Sequence, residues 1–138
     1  MFFNKDKENN KSDSLIKIAA LLIHAAKIDE NFSIQEEEII KKTLLKMGLN
    51  NQNIENIIIE AKKIEGNSNQ ILEFTKEVKS MNEDNKIKIV ETLWQIIYSN
   101  KEADIYETNL MRRLEGLLYI DKRIMGDIKE KIKNEYSK

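Results

Sequence analysis

Cysteine and proline are absent from this chain of 138 residues, histidine and tryptophan occur once each, and glycine occurs four times. Without cysteine there is no disulfide scaffold, no zinc finger, no thioredoxin-type pair and no thiol nucleophile. A single histidine, His24, cannot build a multi-histidine metal site or both halves of a histidine relay. Neither sign of charge dominates, since 23 basic residues against 24 acidic ones leave a formal net charge of −1. No global field therefore recruits nucleic acid, and no nucleic-acid partner is expected. Arginine is scarce, three residues against twenty lysines. Together with the many isoleucines and asparagines, that bias has the stamp of an A/T-rich genome.

Long apolar runs are also missing. The stretch from Leu15 to Ala26 is broken by Lys17 and His24 and falls short of the ~20 residues that span a bilayer. Asp6, Glu8 and Asp13 precede it, where a secretory signal would be net positive. The expectation is a cytoplasmic protein with no transmembrane segment. A chain of this length buries roughly 68–70% of its unfolded surface, enough for one core without covalent staples. No Gly-x-Gly-x-x-Gly, Walker or Gly-x-Ser-x-Gly pattern occurs, so no enzyme is expected.

What is present has helical periodicity throughout. Residues 1–12, opening on Phe2 and Phe3, are polar and aperiodic and read as a disordered tail. From 13 to 138 the pattern is one all-α domain of about seven helices. Leu15, Ile18, Ala19, Leu22, Ala25 and Ala26 mark a first helix from about 13 to 28, with Asp13 or Ser12 as cap. Ser33-Ile34-Gln35-Glu36 is a capping box before Ile39, Ile40, Leu44 and Leu45, and Gly48 ends that helix. A third helix spans about 51 to 65, stopped by Gly66, and a fourth about 69 to 80. Asn82 begins the fifth, with Ile87, Val90, Leu93, Trp94 and Ile97 inward. Asp104 with Glu107 caps the sixth, and Asp121 caps the last. Proline's absence fits these unbroken helices.

A shift of 71 residues lays the first helix pair over the fifth and sixth helices. Asp29-x6-Glu36 then falls on Asn100-x6-Glu107, and Ile39-Ile40-Lys41-Lys42 on Leu110-Met111-Arg112-Arg113. Two helix, acidic turn, capped helix units follow, packed in expectation about a pseudo-two-fold axis.

These turns are the candidates for chemistry. Asp29 falls at a helix C-terminus, where the exposed carbonyls carry partial negative charge, so an acid there calls for something positive nearby. A divalent cation could take Asp29, Glu36, and Glu30 or Asn31, all oxygen donors of the kind calcium and magnesium prefer. The spacing is not an EF-hand, because Ile34 stands where its glycine belongs and Ile40 where its bidentate glutamate belongs. The alternative is purely structural: Glu36 and Glu107 sit where capping boxes put a glutamate, Asn100 suits a left-handed helix terminus, and Glu36-Glu37-Glu38 suits a helix dipole. His24 reads as a packed or half-exposed core residue, and Trp94 with Tyr98 one turn on as a core pair and only secondarily a pocket. Arg112-Arg113 and Lys41-Lys42 read as solvated faces with nearby acids, Arg112 having Glu115 within reach on its own helix.

Leu93-Trp94-Gln95-Ile96-Ile97-Tyr98-Ser99-Asn100-Lys101-Glu102, then Tyr106-Glu107 and Asn109-Leu110-Met111-Arg112-Arg113, resembles the tellurite-resistance TerB-like proteins, in particular their short stand-alone bacterial branch. Ala25-Ala26-Lys27-Ile28-Asp29-Glu30-Asn31-Phe32 with Glu36 is similar to that family's first acidic turn, and the likeness extends over about 13 to 133. It implies an all-α bundle of two helical repeats, related also to the membrane-proximal domain of some DnaJ-type co-chaperones. It further implies divalent metal at the acidic turns, a link to stress and tellurite resistance, and protein partners near the inner face of a membrane. Asn100 and Lys101 depart from the family's aspartate and glycine, and Glu30 from the first turn's glycine. Lys101 puts a cation where a metal would sit, which favours the first turn. With neither cysteine nor a second histidine, a bound ion is expected to be Ca2+ or Mg2+ rather than Zn2+. The competing expectation is an adaptor bundle that docks a protein partner, through the Phe2-Phe3 tail for instance, with the acidic turns serving only as caps.

Overall fold

The three-and-four spacing of apolar residues produces helices end to end. In the structure, a computed structural model, the backbone is described for residues 2–28, 32–49, 52–67, 71–99 and 104–136, with side chains from residue 13 onward within those ranges. Among the described residues there are seven helices and no strand: α1 (Phe2–Ala26), α2 (Ile34–Lys46), α3 (Ile54–Gly66), α4 (Leu72–Lys79), α5 (Glu83–Tyr98), α6 (Ile105–Leu117) and α7 (Lys122–Tyr136).

α1 is the axis of the bundle. Every residue from Ile18 to Ile23 is buried, as are Leu15, Ala25 and Ala26. The expected single stripe is thus only part of its buried surface. Between Leu15 and Ala26 the helix is buried over most of its circumference, with Ile16, Lys17 and His24 partly exposed, because α2, α3, α4 and α5 pack around it, most extensively α3. α1 also begins earlier than the start near Asp13 read from the pattern, its backbone being helical from Phe2. Residues 2–12 contain no glycine or proline to stop the helix, so Ser12 and Asp13 lie in its interior and not at a cap.

The remaining ends follow local chemistry. Asn82 caps α5 by accepting the Asn85 N–H at 2.9 Å, and Asp121 Oδ1 accepts the Arg123 N–H at 2.8 Å ahead of α7. α2 closes in a left-handed turn at Gly48 (φ 98°), with the Leu49 N–H reaching back to the Leu44 carbonyl at 3.1 Å. α6 closes through the same motif, but a tyrosine holds the left-handed position: Tyr119 has φ 54°, and the Ile120 N–H bonds the Glu115 carbonyl at 3.2 Å. The ammonium of Lys79 lies 4.1 Å from the Tyr119 ring centre. Gly66 is the last residue of α3 and Asn67 is its cap, a displacement ordinary for helix ends.

One apolar cluster draws residues from all seven helices. α2 meets α5 through a buried pair of hydroxyls, Thr43 Oγ1 and Thr92 Oγ1 at 2.6 Å, and Thr92 also donates to the Lys88 carbonyl at 2.8 Å. Trp94 and Tyr98 stack at 5.8 Å on α5, the pairing expected from their one-turn spacing. No helix among the described residues is long and apolar enough to cross a membrane.

Candidate functional site at the capped helix termini

Both anticipated capping boxes form. Ser33 holds extended backbone before α2; its Oγ accepts the Glu36 N–H at 3.1 Å while Glu36 Oε1 accepts the Ser33 N–H at 2.9 Å. Asp104 does the same before α6, with Oδ1 accepting the Glu107 N–H at 2.8 Å and Glu107 Oε1 accepting the Asp104 N–H at 3.1 Å. Each bond satisfies an amide that a helix N-terminus would otherwise leave unpaired. What the pattern did not reveal is depth. Glu36 is 1% exposed and Glu107 4% exposed, whereas a capping glutamate on a surface helix is ordinarily wet. Withdrawing a carboxylate from water is costly unless positive charge or hydrogen bonds compensate it.

Glu107 is felt beyond its own cap. The phenol of Tyr98 is pushed above its ordinary value by burial first and then by the negative charges of Glu130 and Glu107. Ile28, which immediately precedes Asp29, and Tyr106, which immediately precedes Glu107, line one pocket of about 330 Å³ together with His24, Asn109 and Arg113. The C-terminal end of α1 and the first turn of α6 therefore share one end of the bundle.

Of the residues anticipated as ligands, Glu36 and Glu107 are placed as above, while Asp29, Glu30, Asn31 and Asn100 lie outside the described residues, as does Lys101. Among the described residues no group of three or more His, Cys, Asp or Glu side chains could hold a metal ion. Each turn thus contributes one buried carboxylate from the described part of the chain. A carboxylate is an oxygen donor of the kind calcium and magnesium take, and one alone does not make a site. Glu37 lies in the first turn of α2, where the helix dipole favours an acid. Glu37 pairs with Lys62 at 2.9 Å and Lys41 at 3.5 Å, and the Lys62 hydrogen bond is the leading cause of its lowered pKa.

A second polar cluster escaped the sequence. Glu65, 8% exposed at the end of α3, takes the Lys27 ammonium at 2.7 Å and lies 3.3 Å from His24 Nδ1. These pairings join residues 38 and 41 positions apart, and no local pattern announces them. His24 is half-exposed, which matches the reading of it as part of the core's edge. Lys41 has the nearby acid expected of it, bonding Glu55 at 2.7 Å.

An all-α bundle whose helix pairs open on capped acidic termini, with a carboxylate drawn inside at each cap, is the class that fold and site define. The family described as tellurite resistance protein TerB matches residues 15–130, and the chain belongs to that family. No curated protein and no solved structure matches it.

Proposed function

We propose that the protein is a non-enzymatic TerB-like module that binds a divalent, oxygen-seeking cation at the turn from Asp29 to Glu36. Glu36 supplies one carboxylate oxygen to the cap and its charge to the ion, with Asp29, Glu30 or Asn31 completing the donors. The observation that carries this reading is that Glu36, at the end of the turn begun by Asp29, holds a carboxylate at 1% exposure, an oxygen donor of the kind a hard cation takes. Lys101 makes the second turn the poorer site, so Asn100 and Glu107 act there chiefly in capping. Family membership supports a role in tellurite or general stress resistance. The test is a thermal-shift series with calcium, magnesium, manganese and zinc on wild type and Asp29→Ala. A midpoint raised by calcium or magnesium only when Asp29 is present supports the reading, since a ligand stabilises through its affinity for the folded state. No shift with any ion defeats it.

A second reading is favoured by three exposed apolar side chains beside the caps. Ile34 is 82% exposed, Ile105 69% and Tyr106 70%, at the first positions of α2 and α6. On this reading the capped end docks a protein partner that covers them, near a membrane if the family link holds. An isolated partner whose binding survives Ile34→Ser and Ile105→Ser would refute it.

A further inference from the structure

A pocket of about 230 Å³ lies among α5, α6 and α7; of its lining only Thr108, which follows Glu107 and donates to the Asp104 carbonyl at 2.9 Å, touches a capping box. Its apolar wall is Trp94, Met111 and Met125, each at most 5% exposed. Its other wall carries Arg112, Lys122 and Lys129, against a single acid, Glu115. The Lys129 ammonium stands 5.5 Å over the Trp94 ring. Arg112, Glu115 and Lys122 also border an adjoining hollow of about 530 Å³.

Three features distinguish this place from an ordinary solvated surface. First, three cations converge on one small space: among the described residues Arg112 and Lys122 make no salt bridge, and Lys129 makes none beyond its approach to the Trp94 ring. Arg112 is one of only three arginines in the chain, and guanidinium binds oxyanions in two-pronged fashion.

Second, the Trp94 indole N–H is buried without a hydrogen-bond partner among the described residues. A donor left in that state lowers stability, and any acceptor that reaches it recovers a bond. Third, the space is bordered by helical glycines that packing does not require. A Cβ on Gly126 in α7 or on Gly116 in α6 would meet nothing within 4 Å. Glycine weakens a helix interior; here its effect is to hold the helix surface back, Gly126 from the pocket and Gly116 from the hollow.

We propose that this pocket binds a small amphipathic anion, with an apolar body against Trp94, Met111 and Met125 and a carboxylate or phosphate head held by Arg112, Lys122 and Lys129. Methionine walls adapt to bodies of different shape. Neither Glu36 nor Glu107 takes part, so the site stands or falls independently of cation binding.

Trp94 is the sole tryptophan and reports occupancy directly. The full chain is titrated with phenylpropionate and phenyl phosphate, with phenylpropanol as the neutral isostere and acetate and inorganic phosphate as heads without a body. A saturable fluorescence change is expected with at least one aromatic anion, about tenfold weaker or more for the alcohol and for the bare heads. Comparison of the two anions identifies the head group. Gly126→Leu fills the pocket without altering charge and is expected to abolish the response, its fold being checked by circular dichroism. Arg112→Gln with Lys122→Gln, both exposed positions, is expected to weaken binding about tenfold and decides the matter if Gly126→Leu misfolds. No saturable response to either anion up to about 10 mM overturns the proposal. So does equal binding of acid and alcohol, or wild-type binding by a folded Gly126→Leu protein.

Discussion

Glu36→Gln separates the cap from the charge. Glu36 Oε1 accepts the Ser33 N–H at 2.9 Å, and glutamine retains an oxygen for that bond while removing the ionised group. A hydrogen bond to a charged acceptor is worth about 1.5–3 kcal/mol and to a neutral one about 0.5–1.5 kcal/mol, so the bond itself weakens by about 1 kcal/mol. Against this stands relief from desolvating a carboxylate in a side chain 1% exposed, a penalty of similar or larger size. In chelator the variant is therefore expected to melt near wild type or slightly above. Calcium at about one hundred times its dissociation constant adds about 2.7 kcal/mol to wild type. With an unfolding entropy of about 2.1 cal/mol/K per residue over a chain of 138 residues, that is a rise of about 9 °C. Glu36→Gln is expected to gain none of it. Glu36→Ala loses the cap as well and melts lower in both media by about 1–2 kcal/mol. Calorimetry in chelator and in saturating calcium gives all six midpoints. A Glu36→Gln protein that gains the full calcium increment would refute the reasoning and leave Glu36 as a cap alone.

Other consequences are as direct. Gly126→Ala fills open space in the second turn of α7 and is expected to stabilise by about 0.5–1 kcal/mol in urea titration; a loss of stability would mean the helix there needs glycine. Thr43→Val and Thr92→Val each break the 2.6 Å hydroxyl pair and are expected to cost about 1 kcal/mol singly, but clearly less than the sum together. Strict additivity in that cycle would show the contact carries no coupling. Glu37 has its carboxyl lowered from 4.5 chiefly by the Lys62 hydrogen bond. Its contribution is thus fully present above that value and is lost as pH falls through the lower folded-state pKa. Glu37→Gln is expected to cost about 0.2–1 kcal/mol near pH 7 for each surface pair broken, and to lose less than wild type on acidification to about pH 3. Urea midpoints at the two pH values check it.

The sequence spoke clearly where the physics is local. Ser33 with Glu36, Asp104 with Glu107, and Gly48 are devices contained within a few residues, and each formed as read. It said little where burial depends on neighbours brought in from afar. The capping pattern predicts the bond from Glu36 to Ser33 but not that both carboxylates are drawn inside, and nothing adjacent to Glu65 points to His24 or Lys27. Leu45 and Leu72 continue the apolar pattern of their helices yet are 37% and 48% exposed, because periodicity locates the centre of a stripe better than its edge. The Trp94 pocket was legible only as a pair of aromatics; the three cations and Gly126 come from other helices.

The packing of four helices around α1 has a consequence for how the molecule comes apart. The segment from Ile18 to Ile23 is buried at every position, so detaching α3 or α4 bares apolar surface that water penalises at once. Partial opening is then nearly as costly as complete unfolding. The backbone amides from Ile18 to Ile23 should exchange with solvent deuterium only in the rare globally opened state, while the ends of α6 and α7 exchange far sooner. Only Lys27 and Ile28 separate this most protected element from Asp29 in the chain, so under the proposed function an ion held at Asp29 would be coupled to the cooperativity of the whole domain.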